Sequence, residues 1–215
     1  MERFQYKELN VDPRSLVLMI GFLVLLVAFN GHLWGREFFL GPFTPPMKGW
    51  ISTLTIITHA LVHVSWYHLI LDASAFVMLY VMLKGSTRRK LLYVLITIAG
   101  GALFPMLFPE SGIYRYGISG LSAASHGLMA VVGAQYVISP SDHEQYVIGV
   151  ISLGSVALKS LVELYTGQVV FSVFHFGQVG TPIAESHLGG VLAGVMVVGL
   201  LYIRNEFPIL GYRDR

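Results

Sequence analysis

The sequence predicts an all-α polytopic membrane protein, a compact bundle of six transmembrane helices. Two observations carry that prediction. Of the 215 residues, 54% are apolar and only 12% are charged, and the mean hydropathy is +0.66, whereas soluble domains carry about twice that share of charge. In addition, six stretches approach the roughly 20 mostly apolar residues that a spanning helix needs.

The six predicted spans follow one another closely, with no internal repeat and no room for a soluble domain. They form one membrane domain over residues 15–203, between tails at 1–14 and 204–215. The long connection at 167–185 is either a mobile flap over a site or a simple connector. The predicted spans are residues 15–34, 66–83, 91–108, 118–138, 146–165 and 187–203.

Lys and Arg are unevenly distributed between the two sides of this bundle. The side that holds both termini carries ten of the 14 basic residues, the opposite side carries three, and Lys159 lies within span five. Because cytoplasmic segments are enriched in Lys and Arg, we expect both termini in the cytoplasm. The net charge of +2 gives no indication of a nucleic-acid partner, and the absence of cysteine excludes disulfides and thiolate metal sites.

Polar side chains inside the predicted spans are the main functional signal, because they are costly in a bilayer. Span two carries His68 and Asp72 on one helical face, Ser119 lies near the start of span four, and His187 opens span six. A single serine in a span more often bonds back to its own helix. Here three helices place polar groups at one depth in the outer half of the membrane, which favours a functional site.

Small residues follow both Ser119 and His187 on the same helical face. Ala123 and Gly127 lie four and eight positions after Ser119, and glycines lie three and seven positions after His187. Such stripes let two helices approach closely. A serine hydroxyl is a weak nucleophile until a base accepts its proton, and neutral imidazole can accept that proton and pass it to a leaving group. The pattern therefore predicts a nucleophile and its base on two closely packed helices.

Three motifs in this order carry a resemblance to a known family. Along the chain they are His68-Leu69-Ile70-Leu71-Asp72, then Gly117-Ile118-Ser119-Gly120, and finally His187 followed by paired small residues. Over about residues 50–204 the chain resembles the rhomboid family of intramembrane serine proteases. The resemblance implies a six-helix rhomboid-like bundle and a catalytic dyad of Ser119 and His187 without a third acid. It also implies that His68 and Asp72 support the oxyanion, and that no cofactor or metal takes part.

The same resemblance implies the partners and the location. The substrates would be membrane-anchored proteins whose transmembrane segment contains Gly, Pro or polar residues near the cut, because unwinding exposes backbone groups that lipid cannot satisfy. We expect no nucleic-acid partner, and a location in the bilayer of the bacterial inner membrane. The compact bundle with Asp72 is also similar to the rhombosortase-like subgroup, which is thought to release bacterial proteins from a C-terminal anchor.

Two positions leave alternatives open. Asp72 stands where the family usually has Asn, and an ionised carboxylate only accepts hydrogen bonds. We therefore expect Asp72 either to be neutral in the working enzyme, as burial favours, or to orient His68. Ser122 lies in a second near-match, Gly120-Leu121-Ser122-Ala123, and is the alternative nucleophile. Glycine on both sides of the motif and the better small-residue stripe favour Ser119.

Other functions are weaker on the sequence. An inactive rhomboid-like protein that binds client helices is favoured by the change at Asp72 and disfavoured by the intact serine and histidine. His59 and His63 have a spacing suited to metal transport or haem, but the chain has no acid-rich intramembrane pathway and no HExxH motif. Lys159 and Glu163, four residues apart in span five, are expected to pair with each other or to reach towards the interface.

Overall fold

The computed structural model describes residues 12–30, 50–170 and 176–204, and every element in these ranges is a helix. Most of the two predicted tails, residues 1–11 and 205–215, lies outside the described residues. The α-helices are α1 (Pro13–Phe29), α2 (Trp50–Thr58), α3 (Trp66–Met82), α4 (Thr87–Leu103), α5 (Ile113–Tyr116), α6 (Ser122–Ile138), α7 (His143–Thr166) and α8 (Ala184–Ile203), with 3₁₀ turns at His59–Leu61 and Phe104–Leu107.

Local sequence signals explain several helix ends. Asp12 caps α1 by accepting from the backbone N–H of Arg14, and Pro13 stands at the first helical position, where its missing N–H costs nothing. Ser65 caps α3 through the N–H of His68. Helix α7 ends at Gly167, whose φ of +64° is the left-handed conformation that glycine adopts without strain.

The described helices support a membrane bundle with fewer clear spans than the six predicted. Each predicted span coincides with a helix, but three helical segments in the described part of the chain are long and apolar enough to cross a bilayer: Thr87–Leu107, α7 and α8. A fourth is possible if Leu54–Leu61 and α3, which meet at 102°, count as one bent span. Helices α1 and α6 have 17 residues each and are shorter than these. The six-span count is therefore not confirmed.

Helix α6 is the central element of the bundle and starts later than predicted. It begins at Ser122 instead of near Ile118, because Gly117 and Gly120 adopt φ values of +73° and +90° and interrupt the helical path. Most of its residues are buried, including the fully buried Leu128 and Val131. The segment between Gly117 and Leu121 is consequently a loop that leads into the first turn of α6.

Helices α6 and α8 approach at glycine, as the small-residue stripes predict. A Cβ added at Gly190 would overlap the carbonyl oxygen of Ala123, and one added at Gly194 would overlap the carbonyl oxygen of Gly127. Helix α4 joins the same contact, since a Cβ at Gly101 would overlap the Ala123 side chain. The predicted close contact between the two helices is confirmed, and α4 extends it to three helices.

A single methyl group tests this contact. We expect Gly190→Ala to lower the thermal unfolding midpoint in detergent, because the new Cβ meets backbone that cannot yield without separating α6 from α8. The matched control is Gly199→Ala in the same helix, where a Cβ meets nothing within 4 Å and replacing glycine in a helix interior gains about 0.5–1 kcal/mol. Equal midpoints for the two variants would contradict the packing argument.

Candidate active site

A cavity of about 490 Å³ lies between α3, the loop before α6, α6, α7 and α8. Every site residue that the sequence nominated lines it. These residues are Ser119, Ser122, His187, His68 and Asp72. The close helix contacts and the glycine turns described above thus place polar side chains from several helices around one cavity.

The serine that meets His187 is Ser122. Its Oγ lies 3.2 Å from His187 Nε2, although the two residues are 65 positions apart in the chain. Ser119 also lines the cavity, but within the described ranges it forms no hydrogen bond to His187. The structure therefore pairs His187 with the alternative serine of the sequence analysis and not with the favoured one.

The physical reason is the backbone of the loop before α6. Gly117 and Gly120 both have positive φ, so the backbone turns at both positions. Ser119 therefore lies in a loop and not on the same helix as Ser122. Ser122 is instead the first residue of α6. The first N–H groups of a helix have no intrahelical acceptor and carry the positive end of the helix dipole, so Ser122 stands where negative charge is stabilised.

A carboxylate lies on the far side of His187, where the resemblance implied no acid. Glu163 Oε2 is 2.7 Å from His187 Nδ1, and the Glu163 side chain is fully buried. Its other oxygen, Oε1, contacts Lys159 Nζ and accepts from the backbone N–H of Val170 at 3.1 Å. The predicted pairing of Lys159 with Glu163 is thus present, and the sequence analysis missed the third partner, His187.

His126 completes a closed chain of hydrogen bonds. Its Nδ1 donates to the backbone carbonyl of Ser122 at 2.7 Å, so its Nε2 is free to accept from Lys159 Nζ at 2.8 Å. The His126 ring stacks on the His187 ring with 4.1 Å between centroids and 6° between planes. The chain of contacts therefore runs from the Ser122 hydroxyl through His187, Glu163, Lys159 and His126 back to the Ser122 carbonyl.

Asp72 contacts the loop before α6. Its Oδ2 accepts from the backbone N–H of Leu121 at 2.6 Å and lies 3.2 Å from His68 Nε2 and 3.4 Å from His63 Nε2. With Asp72 facing its Nε2, His68 has a buried Nδ1 with no partner in the described part of the chain. This geometry favours the second expectation for Asp72, that it orients His68. Asp72 also fixes the backbone of Leu121, the residue before Ser122.

Gly120 lies against this cluster. A Cβ there would be 2.7 Å from His68 Cε1 and 2.8 Å from Asp72 Oδ2. The Gly120 N–H donates to the carbonyl of His59 at 3.1 Å, and the φ of +90° disfavours any side chain. The close contacts and the positive φ therefore require glycine two residues before Ser122, while its N–H ties the loop to the His59 carbonyl.

The connection between α7 and α8 borders the cavity through Val169, Val170 and residues 179–183. Its described part is bonded to α3: the Ser65 hydroxyl donates to the carbonyl of Gln178 at 2.5 Å, and the N–H of Phe176 donates to the Tyr67 hydroxyl at 3.2 Å. This segment therefore covers one side of the site.

Ligand-type side chains also converge at His126, Glu163 and His187, whose nearest ligand atoms lie within 4.8 Å of one another. The Lys159 ammonium contacts two of the three, and its positive charge opposes a metal ion there. The pair His59 and His63, which the sequence suggested for metal, is divided: His59 Nδ1 is bonded to the carbonyl of Thr55, while His63 faces Asp72.

Comparison with known proteins agrees with the motifs. The family model of the Rhomboid domain matches residues 51–204, which is most of the chain. No curated protein matches the chain. The match is to the family as a whole, so membership of the rhombosortase-like subgroup stays a prediction.

The constraint at Gly120 predicts a large effect from a small change. We expect Gly120→Ala to abolish the function of the site and to lower the unfolding midpoint, because the methyl group displaces His68 and Asp72 and strains the turn. Gly154→Ala, where a Cβ meets nothing within 4 Å, is the control and should behave as the parent chain. A fully functional Gly120→Ala protein would refute this account of the loop.

Asp72 is tested by comparing two replacements. Asp72→Ala leaves the buried N–H of Leu121 without an acceptor, so we expect a loss of about 1–3 kcal/mol in the free energy of unfolding. Asp72→Asn keeps an oxygen in the same place and should cost clearly less. Denaturant titrations of both variants in detergent measure the difference, and equal losses would show that the acceptor is not what matters.

Proposed function

The chain belongs to the rhomboid family, and from that premise we propose that it is an intramembrane serine endopeptidase with Ser122 as nucleophile and His187 as base. The observation that carries the proposal is the contact of 3.2 Å between Ser122 Oγ and His187 Nε2 inside a cavity. Ser119, the nucleophile favoured by the motif, is replaced in this role because it lines the same cavity but forms no hydrogen bond to His187 among the described residues.

The chemistry follows from the atoms that face each other. Ser122 Oγ attacks the carbonyl carbon of the scissile peptide bond while its proton passes to His187 Nε2. When the tetrahedral intermediate collapses, the C–N bond breaks and His187 returns that proton to the leaving amide nitrogen. Water then attacks the acyl-enzyme ester, with His187 again as base, and restores the Ser122 hydroxyl.

The oxyanion would be stabilised at the start of α6. The Ser122 N–H belongs to the first turn of that helix, where unpaired N–H groups favour negative charge. His68 lines the same cavity. We assign Asp72 a supporting role, because its carboxylate is already bonded to the Leu121 N–H and would repel an oxyanion placed beside it.

The substrates we propose are membrane-anchored proteins with a transmembrane segment that unwinds easily. We place the entry of the substrate chain beside residues 179–183, which border the cavity. A regular helix would present no accessible peptide bond there, so Gly, Pro or polar residues near the cut are expected to be required. We propose a location in the bacterial inner membrane, and the distribution of Lys and Arg supports an orientation with both termini in the cytoplasm.

A cleavage assay in proteoliposomes tests the proposal. The substrate is a model protein with a Gly- and Pro-containing transmembrane segment, offered to the wild-type chain and to Ser122→Ala, Ser119→Ala and His187→Ala. We expect Ser122→Ala and His187→Ala to lose cleavage by at least about 1,000-fold, and Ser119→Ala to retain most of it.

The other outcomes are equally informative. Loss of cleavage in Ser119→Ala alone would return the nucleophile to Ser119, and cleavage that survives His187→Ala would exclude the Ser–His mechanism. No cleavage by the wild-type chain, together with co-purification of the intact substrate, would favour the inactive protein that binds client helices.

A further inference from the structure

The environment of Glu163 points to a role beyond pairing with Lys159. Glu163 lies in the last turns of α7, its side chain is fully buried, and it faces α8 at the position of His187. A buried carboxylate needs compensating donors, since desolvating it without them is very costly. Lys159, on the same helix, compensates one carboxylate oxygen of Glu163. The other oxygen faces His187 on a different helix.

The two oxygens of Glu163 face different kinds of partner. Oε1 receives the Lys159 ammonium and the Val170 N–H, and both groups can only donate. Oε2 lies 2.7 Å from His187 Nδ1. Because an ionised carboxylate only accepts, the hydrogen on this side of the imidazole belongs to Nδ1.

That assignment fixes the other face of His187. With the proton on Nδ1, the neutral ring has its lone pair on Nε2, directed at Ser122 Oγ. This is the tautomer that can accept the serine proton. The stacked His126 ring has the same Nδ1–H tautomer, because its Nδ1 donates to the Ser122 carbonyl and its Nε2 accepts from Lys159.

We propose that Glu163 is a positioning residue of the catalytic centre, the third member of a Ser122–His187–Glu163 triad. This rests on the proposed function. Glu163 holds the Nδ1–H tautomer of His187 and stabilises the imidazolium that forms when the Ser122 proton arrives at Nε2, without taking that proton itself. Lys159 balances the carboxylate's charge while the ring is neutral and fixes Oε1 as an acceptor.

The donors around Oε1 make Glu163→Gln a sharp test. The amide oxygen must take the Oε1 position, where Lys159 and the Val170 N–H donate. The amide NH₂ then points at His187 Nδ1 and forces the ring into the Nε2–H tautomer, which cannot accept a proton from Ser122. We expect kcat to fall roughly 100- to 10,000-fold, as for loss of the acid in a serine-protease triad, with KM changed less than about threefold.

Two further variants keep the test independent of folding. Glu163→Asp keeps the charge but shortens the reach, so it should be more active than Glu163→Gln and less active than the wild type. Glu185→Gln is the matched control: it makes the same change in the first turn of α8, two residues before His187, and Glu185 lies outside the lining of the cavity. It should cleave like the wild type, and unfolding midpoints in detergent establish that all three variants are folded.

The tautomer itself can be read without any cleavage. In ¹⁵N-histidine NMR spectra of the full chain in detergent, with His187 assigned through His187→Ala, we expect Nδ1–H in the wild type and Nε2–H in Glu163→Gln. A merely structural carboxylate would leave the His187 tautomer unchanged.

The outcomes separate the two proposals. If Ser122→Ala is inactive but Glu163→Gln retains kcat within about threefold and the Nδ1–H signal, the Ser–His mechanism stands and the role of Glu163 is overturned. If Glu163→Gln is more active than Glu163→Asp, charge on the acid is not what matters and the inference also fails. If Ser122→Ala still cleaves, the proposed nucleophile is rejected, and the activating role of Glu163 falls with it.

Discussion

The site depends on one packing constraint, the direct contact of the α6 and α8 backbones at glycine. Ser122 starts one helix and His187 lies in the first turn of the other, so the separation of the helices sets the distance between hydroxyl and imidazole. Side chains at Gly190 or Gly194 would push the helices apart, because a Cβ there would lie 2.1 or 2.4 Å from a backbone carbonyl oxygen of α6. A shift of about 1 Å is enough to spoil a reacting geometry, so the glycines belong to the chemistry as much as to the fold.

The second constraint is the burial of charge within a membrane-embedded protein. Lys159 and Glu163 are tolerated because they compensate each other and because Lys159 also contacts His126, while Glu163 also contacts His187 and the Val170 N–H. In each of these contacts the chemistry of the groups fixes which one donates. A hydrogen-bonded polar network of this kind favours one arrangement of the helices.

The sequence was sufficient for the helical fold, the membrane location and five polar residues of the cavity lining, because hydropathy and intramembrane polar residues reflect the solvent directly. It favoured Ser119, whereas the structure pairs His187 with Ser122, because two positive-φ glycines break the helical register that the prediction assumed. It identified Lys159 with Glu163 from their spacing, but the partner of Glu163 on α8 depends on how α7 is rotated. The signal available in the sequence was Glu163 itself, an acid inside a predicted span, where an ionisable side chain needs a partner. The six-span count is not confirmed for a related reason in α6, because the turns at Gly117 and Gly120 shorten that helix in a way that average hydropathy does not register.

Helix α7 faces lipid over most of its length, since only 22% of its most apolar window is buried. It is fastened near its start, where Gly149 lies against the backbone of Gly133 on α6, and near its end through Glu163. Between these two points Val156 packs against Ala130 and Val191, and Lys159 contacts His126, while the remaining face of the helix is left to the acyl chains. Helix α8, with half of its most apolar window buried, is more enclosed by protein than α7. The thickness and fluidity of the bilayer therefore bear more directly on the helix that carries Glu163 than on the helix that carries His187, and in this sense the lipid is part of the scaffold of the site.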